Sequence, residues 1–179
     1  LTAENALRHS VFAFGGGNTV NRYLLDLLAY RNKGEAEVVP NIDQITRSFP
    51  PFLAQINNPL LTDLQADYGS ISSGSVVPRV LPDFYQGKAV TIYGKFRPGV
   101  DEEFVMRLTG QAEARRKELV FKADLEEAAT GDREIARLWA FQRSYEIIGD
   151  ISRSGERPEL LAELRQLAAT YNIRTAYND

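Results

Sequence analysis

Val11-Phe12-Ala13-Phe14-Gly15-Gly16-Gly17-Asn18-Thr19-Val20-Asn21-Arg22-Tyr23-Leu24-Leu25-Asp26-Leu27-Leu28-Ala29 decides the fold. An apolar run stops at three glycines, and an amphipathic helical pattern begins at once. That order predicts a buried strand, a tight turn and a helix, the working unit of a parallel α/β sheet. Asn18 or Thr19 is the expected helix cap. A parallel strand needs neighbours, and ten residues precede Val11. The stretch is therefore expected to close a sheet begun upstream, in the tail of a larger protein. A strand apolar on both faces leaves an open edge, so self-association through the N-terminal region is expected as well.

Outward from that unit the chain reads as three regions, 1–57, 58–123 and 124–179. The first alternates α and β. Glu35 to Val39 is a second short strand, with Gly34 as the helix stop before it. Asp43 is positioned to cap a helix through Ile56, with Ile45, Phe49, Phe52 and Ile56 on one face. Pro50-Pro51 should break or kink that helix. The second region is β-rich and sandwich-like. Leu60 to Tyr68 alternates as a half-buried strand does, and Val76 to Leu81, Ala89 to Phe96, Phe104 to Thr109 and Glu118 to Ala123 come after it. Gly87, Pro98-Gly99 and Gly110 punctuate them. The third region carries two helices. Ile135, Leu138, Phe141, Tyr145, Ile148 and Ile151 make one stripe, with Trp139 at its margin. Leu160, Leu161, Leu164, Leu167, Ala168 and Tyr171 make the next, and Pro158 suits a first turn. The fold class is α+β.

Composition narrows the function classes. The 179 residues are 44% hydrophobic and 25% charged, with a formal charge of -3. That balance offers nothing to nucleic acid or to an acidic membrane surface. The basic triplet Arg115-Arg116-Lys117 has no interleaved aromatics, so it reads as solvated rather than nucleic-acid-binding. Cysteine is absent, which removes disulfides, thiolate metal sites and thiol nucleophiles. No apolar run reaches the roughly 18 to 20 residues of a membrane span.

The chemistry-bearing candidates are few. Gly15-Gly16-Gly17-Asn18 could present backbone N–H groups to phosphate, but it lacks a Gly-Lys-Ser/Thr ending, so it reads as a βα turn. Asp150-Ile151-Ser152-Arg153-Ser154 spells the Asp-x-Ser-x-Ser core of a metal-ion-dependent adhesion site, where oxygen ligands hold a hard divalent cation. Such a site needs its Asp at the end of a buried strand. The apolar spacing before Asp150 is helical, so the three side chains are expected to point apart and bind no Mg²⁺ or Mn²⁺. Glu146 and Asp150 share a helix face, and a surface pair is expected rather than a hydrolase dyad. His9, the one histidine, should be solvated. Asp101-Glu102-Glu103 could contribute to a Ca²⁺ site but reads as an exposed charged turn, and Glu126-Glu127 reads as the acidic start of a helix. No catalytic, cofactor or metal residue is assigned. Trp139 is the one anchor, for packing or for a partner.

Phe12 through Ala29 resembles the late strand and following helix of a von Willebrand factor A domain. Ile56-Asn-Asn-Pro-Leu-Leu-Thr-Asp-Leu64 and Leu81-Pro-Asp-Phe-Tyr-Gln-Gly-Lys-Ala-Val-Thr-Ile-Tyr-Gly-Lys-Phe96 look like the region after that domain in inter-alpha-trypsin inhibitor heavy-chain-like proteins. Ala136 to Ala140, Gly155 to Leu161 and Tyr171 to Tyr177 are similar to the helical end of that region. Gly16 departs from the family's usual apolar residue, and Ala176 from its usual Pro. The resemblance implies an extracytoplasmic, non-enzymatic interaction or adhesion module with a protein or matrix partner and no cofactor. It equally allows a connector that packs the A domain against its N-terminal partner. It transfers no metal role to Asp150, because the family's adhesion-site loops lie in the earlier half of the A domain.

Overall fold

Local sequence signals produce most of the observed elements. The computed structural model describes residues 2–126, 128, 131–175 and 177. A single helical turn, α1 (Thr2–Asn5), leads into β1 (Ala13–Gly16), α2 (Arg22–Tyr30) and β2 (Ala36–Val39). β1 and β2 pair in parallel, Ala13 opposite Ala36 and Gly16 opposite Val39, with α2 as the crossover between them. The strand begins and ends two residues later than the apolar run suggests. Gly15 and Gly16 lie inside it, and the helix cap moves to Asn21, whose side chain accepts the Leu24 N–H at 3.0 Å. The residues 11–14 are half-buried rather than sealed on both faces.

Packing crowds position 16. A Cβ there would stand 2.6 Å from Cδ1 of Ile45 on the next helix. That helix, α3 (Ile45–Ile56), comes directly after a 3-10 turn at Ile42–Gln44. Asp43 lies in the 3-10 turn and supplies no side-chain cap. Pro50 and Pro51 do not break α3; both lie within it. Each lacks an N–H, which frees the carbonyls of Thr46 and Arg47. Both of those residues are exposed, so water can serve the carbonyls.

The second sheet has the order β4-β3-β5-β6. Its strands are β3 (Pro59–Asp67), β4 (Phe84–Tyr85), β5 (Glu103–Ala112) and β6 (Arg115–Asp124). β3 runs antiparallel to β4 and to β5, with Thr62 opposite Gln111 and Asp67 opposite Arg107. Gly110 lies within β5 instead of ending it. The strands expected at Val76 to Leu81 and Ala89 to Phe96 do not form. One bridge joins Val77 and Tyr93, each N–H reaching the other's carbonyl at 2.8 Å. Adjacent Val76 and Val77 are both buried, so this segment does not alternate. Pro78 then removes the next donor from any ladder.

The long helix α4 (Arg133–Ser154) starts at Asp132, whose carboxylate accepts the Glu134 N–H at 2.9 Å. Glu126 therefore belongs to a turn after β6 and not to a helix start, and Glu127 lies outside the described residues. α5 (Pro158–Tyr171) opens on Pro158 and closes on Asn172 in the left-handed conformation, with the Ile173 N–H returning to Ala168. The core-facing side of α4 is rotated from the expected stripe. Trp139, Ala140, Ser144, Tyr145, Ile147, Ile148 and Ile151 are buried, whereas Ile135, Leu138 and Phe141 are exposed.

The chain forms two compact units. One is Leu1–Asp67, Val80–Thr91 and Met106–Val120; the other is Tyr68–Arg79, Ile92–Val105 and Phe121–Asp179. The first is centred on aromatic contacts of the opening strand region. Phe12 meets Tyr85 edge-on at 5.4 Å between ring centroids, and Phe14 meets Phe49 edge-on at 5.1 Å. The second is centred on α4, α5 and the buried Val76-Val77 segment.

Candidate functional site

Helical spacing puts Arg143, Glu146 and Asp150 along one face of α4. The chain gathers ionic groups around Glu146, which is 7% exposed. The Arg79 backbone N–H donates to Glu146 Oε1 at 2.6 Å, and Arg79 Nε donates to Oε2 at 2.7 Å. Arg79 Nη2 reaches Asp150 Oδ2 at 2.8 Å. Arg143 donates through Nη1 to Glu146 Oε2 at 3.5 Å and grips both oxygens of Glu163 on α5, at 2.7 and 3.1 Å. Arg153 Nη2 reaches the other Asp150 oxygen, Oδ1, at 3.2 Å, so three guanidinium groups face three carboxylates. Burial works against the charge on Arg79 and Arg143, but the bond from Arg79 to Asp150 and the bond from Arg143 to Glu163 outweigh it, with the neighbouring carboxylate charges. Both pKa values rise above the ordinary arginine value.

Glu146 and Asp150 are consequently not a solvated surface pair. Each is held by arginine, whereas a hydrolytic base needs a carboxylate oxygen turned towards an attacking water. The Asp-x-Ser-x-Ser run lies wholly in α4. Ser152 Oγ donates to the Ile148 carbonyl and Ser154 Oγ to that of Asp150, both at 2.8 Å. These back-bonds turn the hydroxyls along the helix.

Trp139 is 7% exposed. Its indole N–H donates to the Ser75 carbonyl at 2.8 Å, and Lys95 Nζ stands 3.4 Å from the ring centroid. Burial lowers the Lys95 pKa, and the negative charge of Glu163 partly offsets that effect. The ammonium over the ring is a cation–π contact.

The first unit holds a separate buried pair. Lys33 Nζ lies 3.4 Å from Asp83 Oδ1 and 3.3 Å from Asp63 Oδ1. Ser10 Oγ donates to Asp83 Oδ2 at 2.7 Å, and the Asp63 N–H donates to Asp83 Oδ1 at 2.9 Å. An irregularity in β3 between Thr62 and Gln65 leaves Asp63 with a φ of 52°, which brings both its N–H and its carboxylate to this cluster. Sequence reading passed over Lys33, Asp63, Asp83, Arg79, Arg143 and Glu163. The Arg143, Glu146, Asp150 spacing was the one available signal; the rest meet only through tertiary structure.

The remaining candidates lie apart. His9 is exposed, as are Arg115, Arg116 and Lys117 on β6. Glu102 and Glu103 are exposed, but Asp101 is buried. It accepts the Arg97 backbone N–H at 2.6 Å and two guanidinium bonds. The side-chain and then the backbone hydrogen bonds from Arg97 hold the Asp101 carboxyl below its usual range. The Gly15 to Asn18 stretch is strand and turn, its glycines turned towards side chains of α2, α3 and the loops between. Ala176 lies outside the described residues. Among the described residues no three acidic or histidine side chains cluster as metal ligands do, and no helix is long and apolar enough to cross a membrane.

The fold is mixed α+β, and these ionic clusters join segments distant in sequence. No protein-family model matches the chain. Over 93 residues, 52% of its length, it is 34% identical to a von Willebrand factor A domain-containing protein of Dictyostelium discoideum, covering 4% of that protein. Over 184 residues, 96% of its length, it is 23% identical to inter-alpha-trypsin inhibitor heavy chain H3 of Rattus norvegicus, and over 185 residues 22% identical to heavy chain H1 of Homo sapiens. The chain spans 21% and 20% of those heavy chains. It is related to von Willebrand factor A domain proteins and to inter-alpha-trypsin inhibitor heavy chains, the relationship its motifs imply.

Proposed function

We propose that this chain is a non-enzymatic interaction module working outside the cytoplasm. In this reading residues 1–57 are the closing part of an A-type α/β domain, 58–123 its β-rich continuation and 124–179 a helical end. The observation that carries the proposal is the state of the acidic groups a hydrolase would need. Glu146 and Asp150 are bound to Arg79, and Glu146 to Arg143 as well. All four of their carboxylate oxygens accept hydrogen bonds from arginine, so none is aimed at an attacking water. Binding to a protein or matrix partner then depends on exposed surface and not on a chemical centre.

A second reading has its own support. The burial of Trp139 and its bond to Ser75 favour a packing role for that ring, as in a structural connector. Biolayer interferometry of the chain against collagen, fibronectin, laminin and hyaluronan separates the two. Saturable binding is expected for the interaction module, and binding to none of the four favours the connector. Hydrolysis of chromogenic esters or glycosides, abolished in Glu146→Gln at unchanged stability, would overturn both.

A further inference from the structure

β6 reads Arg115-Arg116-Lys117-Glu118-Leu119-Val120-Phe121-Lys122-Ala123-Asp124, and it is the last strand of its sheet. All ten residues are exposed, including Leu119, Val120 and Phe121. An outer strand presents unpaired backbone N–H and C=O groups along one side. Three consecutive apolar residues at its centre make it a template for strand addition. The charges that flank them decide which strand can be added.

We propose that β6 pairs antiparallel with β6 of a second copy of this chain, about a two-fold axis through Val120. A two-fold axis normal to the sheet keeps each face of the strand on the same side. Opposite residues must therefore be both odd or both even. With Val120 opposite the second copy's Val120, Glu118 faces Lys122, Arg116 faces Asp124 and Leu119 faces Phe121. Each of these pairs occurs twice. All the charged residues on the even face then meet opposite charges. Centring the axis on Leu119 sets Arg116 against Lys122. Centring it on Phe121 sets Glu118 against Asp124. Like charges directly opposite destabilise a pair of strands, so the allowed registers on either side are rejected. Glu118 also lies 3.3 Å from Arg107 on β5 through Oε1, which leaves its second oxygen for the new partner. The same charges that usually protect an edge strand here select one register of self-pairing.

This proposal places self-association on β6, and not on the N-terminal strand. Sedimentation velocity on the full chain over a range of concentrations tests it, with far-ultraviolet dichroism confirming folding of each variant. A concentration-dependent dimer is expected. Glu118→Lys and Lys122→Glu should each weaken it roughly tenfold, because each sets two like-charge pairs across the axis. The double exchange Glu118→Lys with Lys122→Glu should restore it. The chain has no cysteine, so Val120→Cys introduces a single thiol. That variant should cross-link to itself under mild oxidation, and Lys122→Cys should not. A strict monomer throughout the range overturns the proposal. So does a dimer that the charge exchange fails to rescue, or one in which Val120→Cys remains unlinked.

Discussion

Trp139 and Glu146 concentrate the consequences of single residues. Truncating Trp139 removes a buried ring, its bond to Ser75 and the support for Lys95. Trp139→Ala should lower unfolding free energy by about 3 to 5 kcal/mol in urea titration. Trp139→Phe keeps most of the volume and loses the indole donor, at a cost of about 1 to 3 kcal/mol for the unpaired carbonyl and altered packing. Leu138→Ala and Phe141→Ala, on the exposed side, should each stay within about 1 kcal/mol of the parent. Glu146→Gln leaves Arg79 and Arg143 without their shared carboxylate. Arg79 is 43% exposed along its side chain, so water relieves part of the loss, and about 2 kcal/mol is expected. Asp150→Asn, at the solvated end of the same network, should cost under about 1 kcal/mol. A larger effect at Asp150 than at Glu146, measured in the same titration, would contradict the network as described.

Elements differ in how openly the sequence announces them. β2, β3, α4 and α5 follow from alternation, helical spacing and Pro158, all of which act within a few residues, whereas the start of α4 at Asp132 is hidden behind the Glu126-Glu127 pair. The burial face of α4 does not. Its core side includes Ser144, whose hydroxyl donates to the Ala140 carbonyl at 2.8 Å, and Glu146, which is neutralised by arginine. Apolarity alone therefore points to Phe141 and Leu138, and the polar residues that tertiary partners satisfy remain hidden. The Val76 segment fails for a related reason: its valines read as strand, but Pro78 and burial on successive residues deny it a ladder. Gly34 shows how an element ending can carry a second constraint. Its N–H returns to Ala29, as a helix stop should, but a Cβ there would strike the Val11 backbone carbonyl. Backbone cannot yield as a side-chain tip can. Gly34→Ala should thus cost about 2 to 3 kcal/mol, against about 1 to 2 kcal/mol for Gly16→Ala, where the Ile45 side chain, Cγ1 as well as Cδ1, must move but no backbone does. Thermal unfolding of the two variants checks the order; equal midpoints would remove the close approach at Val11 as the reason for glycine.

At the scale of the whole molecule, acid is the condition that separates well-paired from poorly placed carboxylates. Asp101 and Asp26 should respond to it with opposite signs. Hydrogen bonds from the Arg97 side chain and backbone depress the Asp101 pKa below its ordinary 3.8. On acidification the unfolded chain binds that proton first. Asp101 therefore stabilises the fold above about pH 4, and the contribution disappears as pH falls through the lower folded value. Asp26 is raised above 3.8, because its desolvation on α2 exceeds the attraction and hydrogen bond of Arg22. The folded chain binds that proton first, so ionising Asp26 lowers stability as pH rises from about 4 through the raised folded value. Asp101→Asn should consequently lower the urea midpoint at pH 7, with the deficit shrinking as pH falls from about 4 towards the depressed folded value. Asp26→Asn should raise the midpoint at pH 7 relative to its effect at pH 3. Midpoints measured for both variants and the parent across pH 3 to 7 decide the matter. Parallel curves for Asp101→Asn and the parent would remove the Arg97 bonds as a source of acid sensitivity. A midpoint that falls at neutral pH in Asp26→Asn, with no such fall in acid, would show that the Arg22 pairing outweighs burial and reverse the sign argued for α2.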